Sequence, residues 1–134
     1  MNAVPSSGLP PSIIVSETDL ARLEAMLESA QWRDHPAADA LTAELARARA
    51  VPDSAFPADV VAMHSVVECS DDHNGEHHQL TLVYPHESDV ATHKVSVLAP
   101  VGSALLGLSV GQSIDWDGPG GRTLRLRVTR VRHA

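Results

Sequence analysis

The hydrophobic pattern of this 134-residue chain changes its period once, at a proline-containing segment between residues 51 and 57. Before that segment, apolar residues recur every three or four positions, which is the spacing of an amphipathic helix. After it, apolar and polar residues alternate with a period of two, which is typical of half-buried strands. A chain with helices first and strands afterwards is expected to adopt an α+β fold.

Two helices of similar length are predicted before the change of period. The first covers residues 17–30 and follows Ser16, with Asp19 three residues later in a pattern that resembles a capping box. The second begins at Pro36 and extends to about residue 50. Two matched apolar stripes predict an antiparallel helical hairpin, a short coiled coil with arms of ~20 Å. The stripes consist of Leu20, Leu23, Leu27 and Ala30, and of Ala38, Leu41, Leu45 and Ala48.

The remainder is predicted to be an antiparallel sheet wrapped around one short helix. Strands are expected over residues 60–69, 79–84, 94–98, 111–116 and 123–131, and the helix over residues 100–108. Asn74-Gly75 predicts a tight hairpin turn, and residues 117–121 predict another. In the last strand, Leu124, Leu126 and Val128 face one side and Arg125 and Arg127 the other. We therefore divide the chain into a flexible lead over 1–12, the hairpin over 13–51 and a second domain over 52–134.

Charge and composition argue against nucleic acid as the main partner. The net charge is −7, from 17 acidic and 10 basic residues, whereas a duplex-binding domain usually presents a basic face. Basic residues concentrate only near the end of the chain. The four aromatic residues are far apart in sequence and do not suggest a base-stacking platform. A protein surface with basic elements is the better expected partner.

The chain is expected to be a cytoplasmic protein without a membrane span. Its single cysteine, Cys69, excludes an internal disulfide and a thiolate zinc site formed by this chain. The first residues do not show the basic and apolar regions of a signal peptide. No apolar run approaches the ~20 residues that a membrane helix needs.

No motif predicts an enzyme, a metal site or a cofactor. His73, His77 and His78 crowd a turn with Asp71, Asp72 and Glu76, but zinc sites need a rigid frame, so we interpret this turn as solvated. Ser103 does not stand in a Gly-x-Ser-x-Gly motif. Cys69 falls within a strand and has no neighbouring base in the sequence.

Residues 96–111 read Ser-Val-Leu-Ala-Pro-Val-Gly-Ser-Ala-Leu-Leu-Gly-Leu-Ser-Val-Gly, and Pro119-Gly120-Gly121 follow. This stretch resembles the C-terminal domain of the bacterial Gre transcript-cleavage factors, which share its Pro-x-x-x-Ala-Leu-hydrophobic-Gly run and its glycine turns. Similarity to one branch of that family, the regulators of nucleoside diphosphate kinase, extends from about Ile13 to Val131. It includes the segments Ile13–Val15, Ala38–Leu45, Asp59–Met63 and Thr81–Pro85.

The resemblance implies that the second domain is FKBP-like and docks on RNA polymerase, at a coiled coil on the rim of the secondary channel. The loop that enters the short helix would make part of the contact. Pro100 matches the family proline, whereas the acidic residue that Gre factors carry two positions earlier is Leu98 here. The candidate partner-binding residues are Leu98, Ala99, Pro100, Val101 and Gly102.

Gre factors deliver carboxylates at the tip of a long hairpin to the polymerase metal ions. Asp34 and Asp39 occupy the tip here, but arms of ~20 Å are about half as long. The same two residues are also of the type that caps helices and stabilises their first turn. We therefore expect a non-enzymatic regulator that competes with Gre factors and influences nucleoside diphosphate kinase indirectly.

Three alternatives stay open at this stage. The first is a Gre-like cleavage factor. The second is a module that binds another protein directly, such as the kinase itself. The third is a peptidyl-prolyl isomerase, which is disfavoured because such sites are lined by several aromatic residues, and only Phe56, Tyr84 and Trp116 are available beyond the hairpin.

Overall fold

The computed structural model describes residues 13–117 and 123–133. The lead expected over residues 1–12 and most of the turn expected over 117–121 lie outside these ranges. Within them the fold is α+β, as the change of hydrophobic period predicts. None of the helices in the described part of the chain is long and apolar enough to cross a membrane.

The two predicted helices are α1, Glu17–Glu28, and α2, Pro36–Ala46. Ser16 caps α1, because its Oγ accepts a hydrogen bond from the Asp19 N–H at 3.1 Å. The Asp19 carboxylate instead accepts from the N–H of Met63, 3.1 Å away in the second half of the chain. The first turn of α1 thus holds both the helix cap and a hydrogen bond that links the helix to the second half of the chain.

The second helix ends earlier than predicted. Residues 49–51 form a strand, β2 (Arg49–Val51), that pairs in parallel with β1 (Ile14–Ser16) ahead of the first helix. The Arg49 N–H donates to the Ile13 carbonyl at 2.9 Å. In a continued helix these backbone groups would bond within the helix, whereas here they bond to β1. The pairing closes the base of the hairpin.

The main sheet has five strands in the order β5-β4-β3-β7-β6. The expectation of an antiparallel sheet is wrong at one edge, where β4 and β5 run parallel. They run parallel because residues 85–93, which include two short 3₁₀ turns, carry the chain back across the sheet between them. The strands are β3 (Val66–Asp71), β4 (His77–Val83), β5 (Lys94–Ser96), β6 (Ser113–Asp117) and β7 (Thr123–Arg132).

The strand expected over residues 60–69 begins only at Val66. Val60 and Val61 are both fully buried, which the alternating exposure of a sheet strand does not allow. The Val61 N–H donates to the Leu108 carbonyl at 2.8 Å instead of joining the sheet. His64 then turns the chain into β3 with a left-handed φ of 68°.

A β-bulge changes the alternation that the sequence predicts for β7. Leu126 and Val128 are buried and Arg125 and Arg127 exposed, as expected; the side chain of Leu124 lies outside the described part. Opposite β3 the register shifts between Glu68 and Cys69, which leaves Thr129 as an extra residue on β7. The exposed face of β7 therefore carries Arg125, Arg127, Arg130 and Arg132.

One hydrophobic core joins the helical hairpin to the sheet. Leu23 of α1 and Leu41 of α2 are fully buried in the same cluster as Leu82 of β4 and Leu105 of the short helix α3 (Pro100–Leu105). The junction passes through Gly107, whose φ is +83° and whose carbonyl accepts from the Ile14 N–H at 3.2 Å. A Cβ at this glycine would stand 2.6 Å from the Cβ of Ile13. Gly107 is therefore required by its backbone angle and also by the packing of the first strand.

Two glycines allow these requirements to be separated. Gly111 also has a left-handed φ, +94°, but a Cβ there would meet no atom of the described residues within 4 Å. We expect Gly111→Ala to lower the free energy of unfolding by about 1–2 kcal/mol, the strain of the backbone angle. Gly107→Ala carries the same strain plus an overpacking cost of about 1–3 kcal/mol. Urea unfolding of the two variants measures the difference, and equal losses would contradict the role of the junction.

Candidate partner-binding site

The candidate loop is held by hydrogen bonds at the end of β5. Ser96 Oγ accepts from the Leu98 N–H and the Ser96 carbonyl accepts from the Ala99 N–H, both at 3.0 Å. Ala99 precedes α3 with extended backbone angles, and Pro100 takes the first helical position, where its missing N–H costs no hydrogen bond. The sequence therefore sets a sharp turn from strand to helix, with the proline at its corner.

Gly102 allows α3 to lie directly against this turn. A Cβ at position 102 would stand 2.1 Å from the Ser96 carbonyl oxygen and 3.0 Å from its carbon. Any larger residue would push the helix away from the strand end. Gly102 thus shapes the loop without presenting a side chain to a partner.

The five candidate residues divide into a supporting set and an exposed set. Leu98 and Val101 are only 7% and 8% exposed, and Gly102 is buried as well. Ala99 is half-buried, and Pro100 is exposed. Position 98 points into the core, so an apolar residue is what its surroundings favour. Of the five, Ala99 and Pro100 are available to a partner.

Beside the loop lies an apolar groove of about 470 Å³, which we call the docking groove. Among the residues that the structure describes, no acidic side chain lines it, and Lys94, His78 and His93 lie along it. Val90, in the 3₁₀ turn before β5, is 93% exposed at its edge. Sequence reasoning missed this groove, because its walls come from three separate stretches of the chain, 78–80, 88–101 and 126. Its apolar lining includes Leu80, Val90, Val95, Val101 and Leu126, together with Ala99 of the loop.

The hairpin tip is exposed and short. The side chain of Asp34 is 95% exposed and lies 3.9 Å from Arg33, a weak pair at this distance and exposure. Asp39 is exposed in the first turn of α2, where a negative charge is favourable. The cap of α2 is His35, whose Nδ1 accepts from the Ala37 N–H at 3.0 Å, so Asp34 does not cap this helix. With 12 and 11 residues, the helices are about 18 and 16 Å long.

The histidine-rich turn is not uniformly solvated. Asp71 is fully buried, and its Oδ1 accepts from the His73 N–H at 2.9 Å, so one carboxylate of the predicted solvated turn instead shapes the hairpin from inside. Gly75 closes the turn with a φ of +74°, as the Asn-Gly pair predicts. In the described ranges, no three His, Cys, Asp or Glu side chains come together in a way that could hold a metal ion.

Acidic residues neutralise most of the arginines on β7. Asp72 lies 2.9 Å from Arg127 and 3.8 Å from Arg125, and Asp115 lies 3.2 Å from Arg125. Glu68 lies 4.0 Å from Arg130. These pairs are solvent-exposed and contribute little to stability. They do reduce the positive potential that a nucleic-acid backbone would need.

Comparison with known proteins agrees with the sequence resemblance. Residues 56–133 match the family described as "Transcription elongation factor, GreA/GreB, C-term", and residues 11–51 match "Rnk N-terminus". The chain is 42% identical to the regulator of nucleoside diphosphate kinase of Escherichia coli (strain K12) over 123 residues, which cover 92% of this chain and 90% of that protein. The chain belongs to the GreA/GreB family, in the branch of the regulators of nucleoside diphosphate kinase.

Two further members of the family show how much of a Gre factor this chain matches. A transcription elongation factor GreA/GreB from Nitrosomonas europaea has a solved structure with a TM-score of 0.78 and 46% identity, covering 92% of this chain and 99% of that one. The transcription elongation factor GreA of Rhodospirillum rubrum is 35% identical over 64% of this chain and 54% of its own length. This chain therefore matches about half of that longer factor.

Cys69 lies where its thiol is expected to react slowly. Cys69 is 1% exposed in β3, and burial raises the pKa of its thiol to about 11. We expect reaction with a disulfide reagent at pH 8 to be about 100-fold slower in the native protein than in urea, because the thiolate is scarce and shielded. One thiol per chain is titrated by absorbance. Equal rates in buffer and in urea would show that the site is open.

Proposed function

We propose that this chain is a non-enzymatic transcription regulator of the cytoplasm that binds RNA polymerase beside its secondary channel. It competes there with Gre factors, and it influences nucleoside diphosphate kinase indirectly, through transcription. Family membership supports a Gre-like regulator. The finer claim is supported by the candidate loop, whose sequence resembles the polymerase-docking loop of the family.

One observation carries the proposal: the exposed part of that loop is continuous with the docking groove. Ala99 belongs to both, and Val90, which also lines the groove, is largely exposed to solvent. The groove has an apolar floor, no acidic residue in its described lining, and a lysine, so it fits an apolar side chain flanked by acidic ones. Such a side chain at the end of a protruding coiled coil would enter the groove beside Ala99 and Val90.

The helical hairpin would have a role separate from docking. We treat residues 13–51 as an element that occludes the channel entrance and residues 52–134 as an FKBP-like docking domain. Arms of about 18 Å leave Asp34 and Asp39 short of a metal centre deep in the channel. Binding would then exclude competitors without supplying carboxylates for RNA cleavage.

A second candidate uses the same surface. The docking groove could hold a segment of another protein, with nucleoside diphosphate kinase the first to test, since the branch of the family is named for its regulation. The two candidates differ in which purified partner binds, so one set of variants serves both.

The groove is tested with two valine-to-aspartate changes. Val90→Asp places a charge at the edge of the groove, whereas Val110→Asp changes another exposed valine, 40% exposed, that does not line it. We expect Val90→Asp to weaken binding to core polymerase at least 10-fold, since burying a valine is worth about 1.5–3 kcal/mol. Fluorescence anisotropy of the labelled chain measures the affinity.

Pro100→Asp provides an independent change in the loop itself. Aspartate is well tolerated in the first turn of a helix, so α3 is expected to form and only the contact is lost. Val110→Asp should bind like the unchanged chain, and an added Gre factor should displace both. Equal affinities for Val90→Asp and Val110→Asp would show that the groove is not the contact.

The short hairpin predicts the absence of cleavage. Added to a backtracked elongation complex, the chain should leave the RNA intact and should slow the cleavage stimulated by a Gre factor as its concentration rises. The physical reason is the reach of Asp34 and Asp39, and Asp34→Ala should inhibit as well as the unchanged chain. Gel analysis of end-labelled RNA measures both, and cleavage lost in Asp34→Ala would replace this account with that of a cleavage factor.

A further inference from the structure

The fold brings together aromatic residues that the sequence separates. Trp32 lies in the turn between α1 and α2, and Tyr84 follows β4, yet both line one groove between the helical hairpin and the second segment. They are two of only four aromatic residues in the chain. The groove encloses about 600 Å³, within the range of small-molecule sites. We call it the aromatic groove, and it is lined by Arg22, Met26, Trp32, Tyr84, Pro85 and His86 among others.

The Tyr84 wall of this groove is fixed. The Glu87 carboxylate holds the turn by accepting from the Tyr84 N–H at 3.1 Å while it pairs with His64 Nε2 at 2.8 Å. The hydrogen bond from His64 lowers the pKa of Glu87 below its usual value. The Tyr84 ring lies edge to face with His64, at 5.6 Å and 62°, and stacks with His86 at 6.4 Å and 17°. These contacts give the groove a prepared flat surface.

The groove also contains a cation that forms no close ion pair in the described part of the chain. Arg22 is exposed, and within the described ranges no carboxylate lies within 4.0 Å of its guanidinium. Its charge acts at longer range on Asp53, whose pKa is lowered chiefly by hydrogen bonds from Thr18. The two acidic residues that act on Tyr84, Asp19 and Glu87, are engaged with the Met63 N–H and with His64. A guanidinium in this setting is suited to a phosphate or a carboxylate.

The Tyr84 hydroxyl is buried, and Arg22 lies near enough to donate toward it, although no hydrogen bond of ordinary geometry forms in the described structure. Burial raises its pKa, so it stays neutral and can still donate. Arg22 lies close enough to act on this hydroxyl electrostatically. The cation and the aromatic wall therefore belong to one site and not to two.

We propose that the aromatic groove binds a free nucleoside phosphate, with the base against Trp32 and Tyr84 and the phosphate at Arg22. Aromatic faces recognise any nucleobase by stacking, and the arginine selects for the phosphorylated form. The cavity is large enough for a base and a ribose together. This site does not involve the docking groove, so it can be tested without polymerase.

The test titrates the full chain with ADP and GDP by calorimetry. We expect a dissociation constant of about 100 µM or lower, and adenosine and inorganic pyrophosphate should each bind at least about 10-fold more weakly, since each lacks one half of the ligand. Arg22→Ala should weaken ADP binding about 10-fold. Arg33→Ala, which removes an exposed arginine outside the groove, should leave it unchanged.

Tryptophan emission gives a second measurement, which a general charge effect would not change. Trp116→Phe leaves Trp32 as the one tryptophan of the chain, and stacked nucleotide should quench its emission with the same midpoint as the calorimetric titration. No binding at millimolar ADP or GDP would overturn the proposal. Equal loss in Arg22→Ala and Arg33→Ala would overturn it as well, and so would binding that requires an RNA trinucleotide instead of the free nucleotide.

Discussion

The contact between Gly107 and the first strand is the constraint on which the rest of the structure depends. The Gly107 carbonyl accepts from Ile14, and its N–H donates to the Val61 carbonyl at 3.0 Å, so one residue joins the start of the chain to the segment before β3. The absence of a side chain allows Ile13 to pack there and the hairpin to share the core of the sheet. The aromatic groove lies between the two parts of the chain that this junction joins.

The division of labour within the candidate loop follows from the same packing. Leu98 and Val101 are buried to hold α3 in place, and Gly102 is small because the Ser96 carbonyl lies against it. What remains for recognition is Pro100, Ala99 and the groove that their neighbours create. The conspicuous sequence motif here largely builds the support: of the five candidate residues only Ala99 and Pro100 reach the surface, and most of the groove lining comes from residues outside the motif.

The sequence predicted the elements that depend on local patterns. Both helices, the Asn74-Gly75 turn and the proline start of α3 follow from spacing and turn chemistry. It did not predict β2, the parallel β5 or the bulge at Thr129, because each depends on a partner strand far away in sequence. The docking groove and the aromatic groove were beyond reach for the same reason, since their walls combine segments up to about fifty residues apart.

Hydrogen exchange of the chain, alone and bound to core polymerase, tests the central claim most directly. If the docking groove is the contact, the backbone amides of residues 88–101 are expected to exchange more slowly in the complex. The amides of Arg130 and Arg132, towards the end of β7, are expected to keep their rates. Protection confined to β7, or the same exchange pattern with and without polymerase, would contradict the account.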